Sequence, residues 1–391
     1  MNCRERIFTA LNLEEPDRVP THLILIDANN VDKILGKPVV SDFDTVEQIQ
    51  ENNPEGWVEE LSNLVESVET SVFSRCVEAA IEIGLDCMQV GIIPLHFIDD
   101  PQDQRLLMKD IFGRIWEARN NEGNFNPYYL YGTMNTFEKW QDTKQAIEDS
   151  YTNKYKKFVK KFFRRINKKH KDKIFVAVTN DLAGVFESAS QGMGMTYYAK
   201  MVRKKPKFIK EVHEVYAQFT AEIYKSYIEA GAELFVESGD LAYHTGPMMS
   251  PKKFEELLLP AYRIITNAVH ENGGKIILHT DGQVTPLLDF VVSCGFDGLQ
   301  SMEPTAGVDL ELVKKKVGDK LCLWGNTDVS HVLVNGTKEE VYNAVKYAIK
   351  TAGSGGGFVV SAANMHPGVN VPNLKWMVEA THKYGKYPIN L

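Results

Sequence analysis

The sequence predicts a single-domain (β/α)₈ barrel of the α/β class, on three observations. The 391-residue chain has the length of one such barrel with insertions. Eight short apolar, β-branched runs alternate with longer amphipathic segments, the pattern of buried parallel strands covered by helices. Polar residues gather just beyond the C-terminal ends of those runs, where a barrel of this kind builds its active site.

The elements follow in chain order. Residues up to about 17 read as an N-terminal helical extension, and Val19–Ile26 is the first strand run. Cys87–Ile93 is the second, followed by an insertion around residues 100–150. Within it, Gln104–Arg119 has the form of a hairpin turning near Phe112-Gly113. From Lys154 to Lys173 the chain is crowded with lysine and arginine, with Phe158, Phe162, Phe163 and Ile166 at helical spacing. That segment reads as a surface helix with one solvated cationic side, or as a docking surface for an acidic partner. Ile174–Thr179 runs into Asn180-Asp181, and Glu233–Glu237 into Ser238-Gly239-Asp240. Lys275–His279 ends at Thr280-Asp281, and Gly298–Met302 at Glu303. Leu321–Trp324 precedes Asn326-Thr327-Asp328. Gly353-Ser354-Gly355-Gly356-Gly357 leads into Phe358–Ser361, which is followed by Asn364-Met365-His366. The glycines precede a strand rather than open a helix, so they read as a connecting loop and not as a phosphate cradle.

Composition narrows the class. A net charge of −8 argues against nucleic acid as the main partner. No apolar run approaches the roughly 20 residues that cross a bilayer. The N-terminus lacks the apolar core of a signal peptide, so no membrane association and a cytoplasmic location are expected. The five cysteines, Cys3, Cys76, Cys87, Cys294 and Cys322, have no ligand spacing and fit reduced, mostly buried thiols.

Chemistry is expected around His279-Thr280-Asp281-Gly282. Two residues apart on an extended segment, His279 and Asp281 project to the same side. With Glu237 from the preceding strand they can hold a metal, with zinc the natural choice for three protein ligands and an open position. The alternative is a hydrogen-bonded polar cluster without metal. Asp240, Tyr243 and His244 are candidates for steering or protonating a leaving group, or for ordinary loop hydrogen bonding. Asn326 and Asp328 can orient substrate, or cap the following helix. Asn180, Asp181, Met248, Asn364 and His366 are the expected substrate contacts around the mouth. Met193, Met195, Met248 and Met249 read as core or rim packing.

Seven motifs are then recognisable together. They are Arg4-Glu5-Arg6 with Ala10-Leu11, Pro16-Asp17-Arg18-Val19-Pro20, Asp110-Ile111-Phe112-Gly113-Arg114, Gly246-Pro247-Met248-Met249-Ser250-Pro251, His279-Thr280-Asp281-Gly282, Gly325-Asn326-Thr327-Asp328 and Asn364-Met365-His366-Pro367-Gly368-Val369. Over nearly the whole chain they resemble the uroporphyrinogen decarboxylase superfamily. That family has a porphyrin decarboxylase branch and a corrinoid-dependent methyltransferase branch. The decarboxylase branch offers N-terminal arginines to a polycarboxylate substrate, whereas Thr21 to Asn30 here holds none. The methyltransferase branch resembles a zinc site of the form H-x-C with a distant second cysteine. Here Asp281 stands at the H-x-C position, and Ala362-Ala363-Asn364 occupies the region of the second cysteine. Oxygen in place of sulfur makes a harder site, suited less to activating a thiol than to cleaving a bond to oxygen.

The resemblance therefore implies the methyltransferase component of an O-demethylase. Its methyl donor is a small molecule, favoured as a methoxylated aromatic, and its acceptor is the Co(I) corrinoid of a separate partner protein. It is compatible with assembly as a homodimer. Alternatives are a methylamine, quaternary amine or tetrahydrofolate donor, a uroporphyrinogen decarboxylase-type lyase, or a non-catalytic tetrapyrrole-binding protein.

Overall fold

The runs of valine, isoleucine, leucine and phenylalanine pair side by side as parallel strands. The computed structural model describes residues 1–37, 48–49, 52–53, 57–91, 95–100, 105–121, 124–150, 153–180 and 184–391. In chain order the strands are β1 (Thr21–Leu23), β2 (Cys87–Val90), β3 (Leu95–Ile98), β4 (Leu107–Asp110), β5 (Arg114–Asn121), β6 (Asn124–Gly132) and β7 (Phe175–Thr179). They continue with β8 (Leu234–Ser238), β9 (Ala242–Tyr243), β10 (Gly246–Pro247), β11 (Lys275–Thr280), β12 (Gly298–Ser301), β13 (Cys322–Thr327) and β14 (Phe358–Ala362). Eight of these close a parallel barrel in the order β1-β14-β13-β12-β11-β8-β7-β2. β1 closes it by pairing with β14 through Thr21 and Val360 and with β2 through His22 and Cys87. Each strand overlaps one of the eight runs in the sequence, and Ile92 and Ile93 of the second run lie outside the described residues.

Strand alternation divides the apolar residues into two bodies. Outward-facing side chains such as Met88, Val176, Phe235 and Leu278 pack under the surrounding helices. Inward-facing Cys87, Phe175, Val236, Ile277, Cys322, Trp324 and Val359 fill the lower barrel. The N-terminal helix Cys3–Leu11 closes that end, inserting Ile7, Ala10 and Leu11 into the same cluster. Burying those three side chains is worth roughly 1.5–3 kcal/mol for each of the larger two.

The N-terminal arginines hold this plug in place. Arg6 binds Asp17 through Nε and Asp86 through a terminal nitrogen, each at 2.7 Å. Arg18 reaches both oxygens of Asp86 at 2.7 and 2.9 Å, and Thr21 donates to Asp86 from backbone and hydroxyl. Hydrogen bonds from Arg6 hold the Asp17 carboxyl far below the usual carboxylate range. The motif residues Arg6, Asp17 and Arg18 are thus structural, at the end of the barrel opposite its mouth.

Between β2 and β7 the insertion forms a four-stranded antiparallel sheet, β3-β4-β5-β6. β4 and β5 make the hairpin expected around Phe112-Gly113, with Gly113 at φ +77°. Buried Arg114 binds Asp110 at 2.5 Å and also donates to Gln191, which ties the hairpin to the helix Val185–Met193. The lysine-rich segment forms the helix Asn153–His170, with Phe162, Phe163 and Ile166 buried. Lys156 and Lys160 pair with Glu222 and Glu229, and Lys169 with Glu78. Gly355, Gly356 and Gly357 form the left-handed turn before β14, and a Cβ on Gly356 would lie 2.2 Å from the Glu14 carbonyl oxygen. This is a close-packed loop. Cys76, Cys87, Cys294 and Cys322 are buried and all five thiols are free. Among the described residues, no helix is long and apolar enough to cross a membrane.

Candidate functional site

Above the apolar plug the inward-facing positions turn polar. β11 places Ile277 inward, so His279 is inward too, one step nearer the mouth. The same alternation turns Gln300 of β12 inward, in register with His279. Gln300 donates its amide nitrogen to the carbonyls of Ala362 and Ala363 at 3.1 and 3.3 Å. Its Oε1 therefore faces His279 Nδ1 as an acceptor, and the two are in close contact. This leaves the proton on Nδ1 and directs Nε2 as the ring's Lewis-basic atom. Nε2 lies 4.0 Å from Asp281 Oδ2.

Asp281 is held on every side. Ser301 donates its hydroxyl to Oδ1 at 2.6 Å, and the Asn364 amide donates to Oδ2. The Asp281 backbone N–H donates to Asp240 Oδ1 at 2.9 Å, which swings the Asp240 carboxylate alongside. Asp240, His279 and Asp281 each offer one ligand atom, and the three atoms lie within 4.8 Å of one another. Burial pushes the Asp281 carboxyl up to about 6, with Asp240 and Glu303 adding to the rise while His279 opposes it. Two further carboxylates beside a buried one leave negative charge that a divalent cation would neutralise. The donor set of one imidazole and two carboxylates matches zinc or another divalent ion of intermediate hardness. The residues present therefore fit a metal.

Backbone geometry builds the same corner. Gly282 has φ +83°, and a Cβ there would lie 2.5 Å from the Ala242 carbonyl oxygen, so the tetrad's glycine lets the β9–β10 hairpin close over it. Its N–H donates to Glu303 at 3.1 Å. Ser301 and Met302 sit at φ +100° and +49°, a conformation side-chain-bearing residues rarely adopt. Such strain costs on the order of 1–3 kcal/mol per residue, and it falls where Ser301 reaches Asp281.

The remaining expected residues divide. Glu237 is not part of the three-atom group, which corrects its assignment as a ligand. It pairs in register with Leu278, so its side chain points to the helix layer and away from His279. There it accepts from Asn180 Nδ2 at 2.7 Å and from the Val185 N–H at 3.0 Å. Burial pushes its carboxyl up to about 8. Asp240 takes the third place instead. Asn180 is engaged by Glu237 and by the Ser238 N–H, and so links β7 to β8. Asp181 lies outside the described residues. Tyr243 and His244 stand exposed on the β9–β10 hairpin, and Met248 packs partly buried against the core.

Asn326 donates to the Met302 carbonyl at 2.8 Å and braces the strained turn. Asp328 caps the helical turn Val329–Leu333, accepting from the His331 N–H at 2.9 Å. Asn364 joins the cluster through Asp281, whereas His366 is exposed and accepts from the Gly368 N–H. Gln300 and Ser301 were not singled out in the sequence, although they are the two polar residues inside the run Gly298–Met302. Strand alternation within Gly298–Met302 is the signal that finds Gln300.

A family model described as uroporphyrinogen decarboxylase (URO-D) matches residues 133–384. A methylcobamide:CoM methyltransferase MtaA of Methanosarcina barkeri is 26% identical over 211 residues, covering 54% of this chain and 59% of that protein. A uroporphyrinogen decarboxylase of Pseudoalteromonas atlantica is 25% identical over 209 residues, covering 52% and 56%. The chain thus spans a little over half the length of these curated relatives. A solved structure titled as a methyltransferase from Methanosarcina mazei superposes with a TM-score of 0.69 at 17% identity, covering 98% of this chain and 99% of that one.

Proposed function

The chain belongs to the uroporphyrinogen decarboxylase family, and we propose that within it the protein is a corrinoid-dependent methyltransferase. Its donor is a small methylated compound, favoured as a methoxylated aromatic, and its acceptor is the reduced corrinoid of a partner protein in the cytoplasm. The observation that carries this reading is the Asp240–His279–Asp281 group at the barrel mouth. A site built from two carboxylates and an imidazole repels a polycarboxylate porphyrin. The N-terminal arginines that would relieve that repulsion are engaged elsewhere, Arg4 with Glu233 and Arg6 and Arg18 with Asp86.

In this role His279 Nε2, Asp240 and Asp281 would hold a divalent cation, with zinc the first expectation. Bound there, it would act as a Lewis acid on the ether oxygen of the donor. Departure of a phenolate needs such help, since its conjugate acid has a pKa near 10. Gln300 fixes the His279 tautomer. Ser301 and Asn364 hold Asp281 against the repulsion of Asp240 and Glu303. The β9–β10 hairpin, closing over Gly282, covers the same corner and places Tyr243 and His244 within the mouth's rim. The negative charge of that rim also favours a second class of donor, a methylamine or quaternary amine.

The test is a donor screen with the purified protein, zinc and a reduced corrinoid protein, following the demethylated product. Methoxyaromatics should yield the free phenol, and His279→Ala or Asp240→Ala should lower the rate by about 100-fold or more. Product from amines alone would move the donor to the second class. No demethylation of any donor contradicts the proposal.

A further inference from the structure

On the wall of the barrel opposite His279 lies a second polar group. In the closed ring of strands β1 is four places from β11, and β2 is four places from β12. His22 of β1 and Gln89 of β2 therefore face His279 and Gln300 across the interior. Both point inward: His22 stacks edge-on against Trp324 of the interior cluster, and Gln89 alternates with interior Cys87. His22 is fully buried and Gln89 is 1% exposed.

The Ser361 hydroxyl donates to the Ala362 carbonyl, so it accepts from His22 Nδ1 at 3.1 Å and the ring's proton sits there. His22 Nε2 is then an acceptor. Among the described residues neither it nor either amide atom of Gln89 has a partner of good hydrogen-bond geometry, although Gln89 stands close beside the His22 ring. Leaving such atoms buried and unpaired costs about 1–3 kcal/mol each, which a purely structural interior would avoid by using apolar side chains. The next position on the same face of the β2 segment, Gly91, has no side chain, and the Thr179 carbonyl packs against it.

We infer that Gln89, backed by His22, is the recognition site for a neutral hydroxyl or carboxamide at the end of the donor remote from its methyl group. Gln89 offers that group a donor and an acceptor together, without charge. A donor spanning the barrel then presents its methyl-bearing atom to the Asp240–His279–Asp281 corner. This assignment rests on the methyl-donor reading above.

Calorimetric binding of 4-methoxyphenol and methoxybenzene to the zinc-loaded protein, without corrinoid protein, tests it. The hydroxylated compound should bind about 10-fold or more tightly, and Gln89→Leu or Gln89→Met should abolish that difference while sparing methoxybenzene. Because each variant removes unpaired polar atoms, its melting temperature should hold or rise, whereas a structural glutamine would give a fall. Equal binding of the two compounds, binding of neither, or a preference that survives in both variants overturns the inference. If 4-methoxyphenol binds through Gln89 but is not demethylated with reduced corrinoid protein, the recognition site stands and the methoxyaromatic donor is lost.

Discussion

His279 presents Nε2 to the mouth because Gln300 holds its other ring nitrogen, and Gln300 is itself held by the carbonyls of Ala362 and Ala363. Gln300→Ala should therefore weaken metal binding about 10- to 100-fold while the protein remains folded, as a zinc titration against a competing chelator would record. Glu237 makes a separate prediction through stability. Its folded pKa, raised to about 8 by burial, lies above the unfolded value near 4.5. The stability it contributes is complete below about pH 4.5 and declines as pH rises through about 8. Unfolding free energies of the wild type and Glu237→Gln across that window should diverge by up to about 3–5 kcal/mol, with the wild type losing ground as pH rises. A flat difference would show that Glu237 keeps its charge. At this scale the sequence set His279 beside Asp281 through their spacing at a strand end, whereas Asp240 was read as a residue for the leaving group and not as a ligand. Glu237 was misassigned because the last residue of a run points to whichever face its register dictates, and register is not visible in one strand alone.

Elements explain the motifs better than single residues do. Arg6, Asp17 and Arg18 look like a binding motif in the sequence, yet they clamp the N-terminal helix and the start of β2 around Asp86. Asp86→Ala removes the carboxylate that Arg18 and buried Arg6 share, leaving Arg6 only Asp17, and should destabilise the protein by about 3–5 kcal/mol in chemical denaturation. Asp110 and Arg114 do the same for the β4–β5 hairpin, which they fix to the helix Val185–Met193. The hairpin could be read from Phe112-Gly113 because a tight turn needs glycine there. The strained turn after β12 could not, since Ser301 and Met302 have no preference for positive φ and are forced into it by their neighbours. Asp328 illustrates an ambiguity that only geometry resolves: its carboxylate is occupied in capping Val329–Leu333.

Across the whole molecule the barrel separates stability from chemistry along its axis. Apolar side chains and the helix Cys3–Leu11 close one end, and carboxylates, amides and imidazoles crowd the other. That separation was legible in the sequence because strands run in one direction and their polar followers all fall at the same end. Which inward groups meet was not, because partners such as His279 and Gln300 are joined by register across strands 21 residues apart. We propose that Asp240, His279 and Asp281 form a metal site, with Glu237 outside it. It is tested most directly by elemental analysis of the wild type, Asp240→Ala, His279→Ala and Glu237→Gln after zinc loading and desalting. About one zinc per chain is expected in the wild type and Glu237→Gln, with loss in the other two. A wild type without metal, or a site that survives Asp240→Ala but not Glu237→Gln, would contradict the proposal.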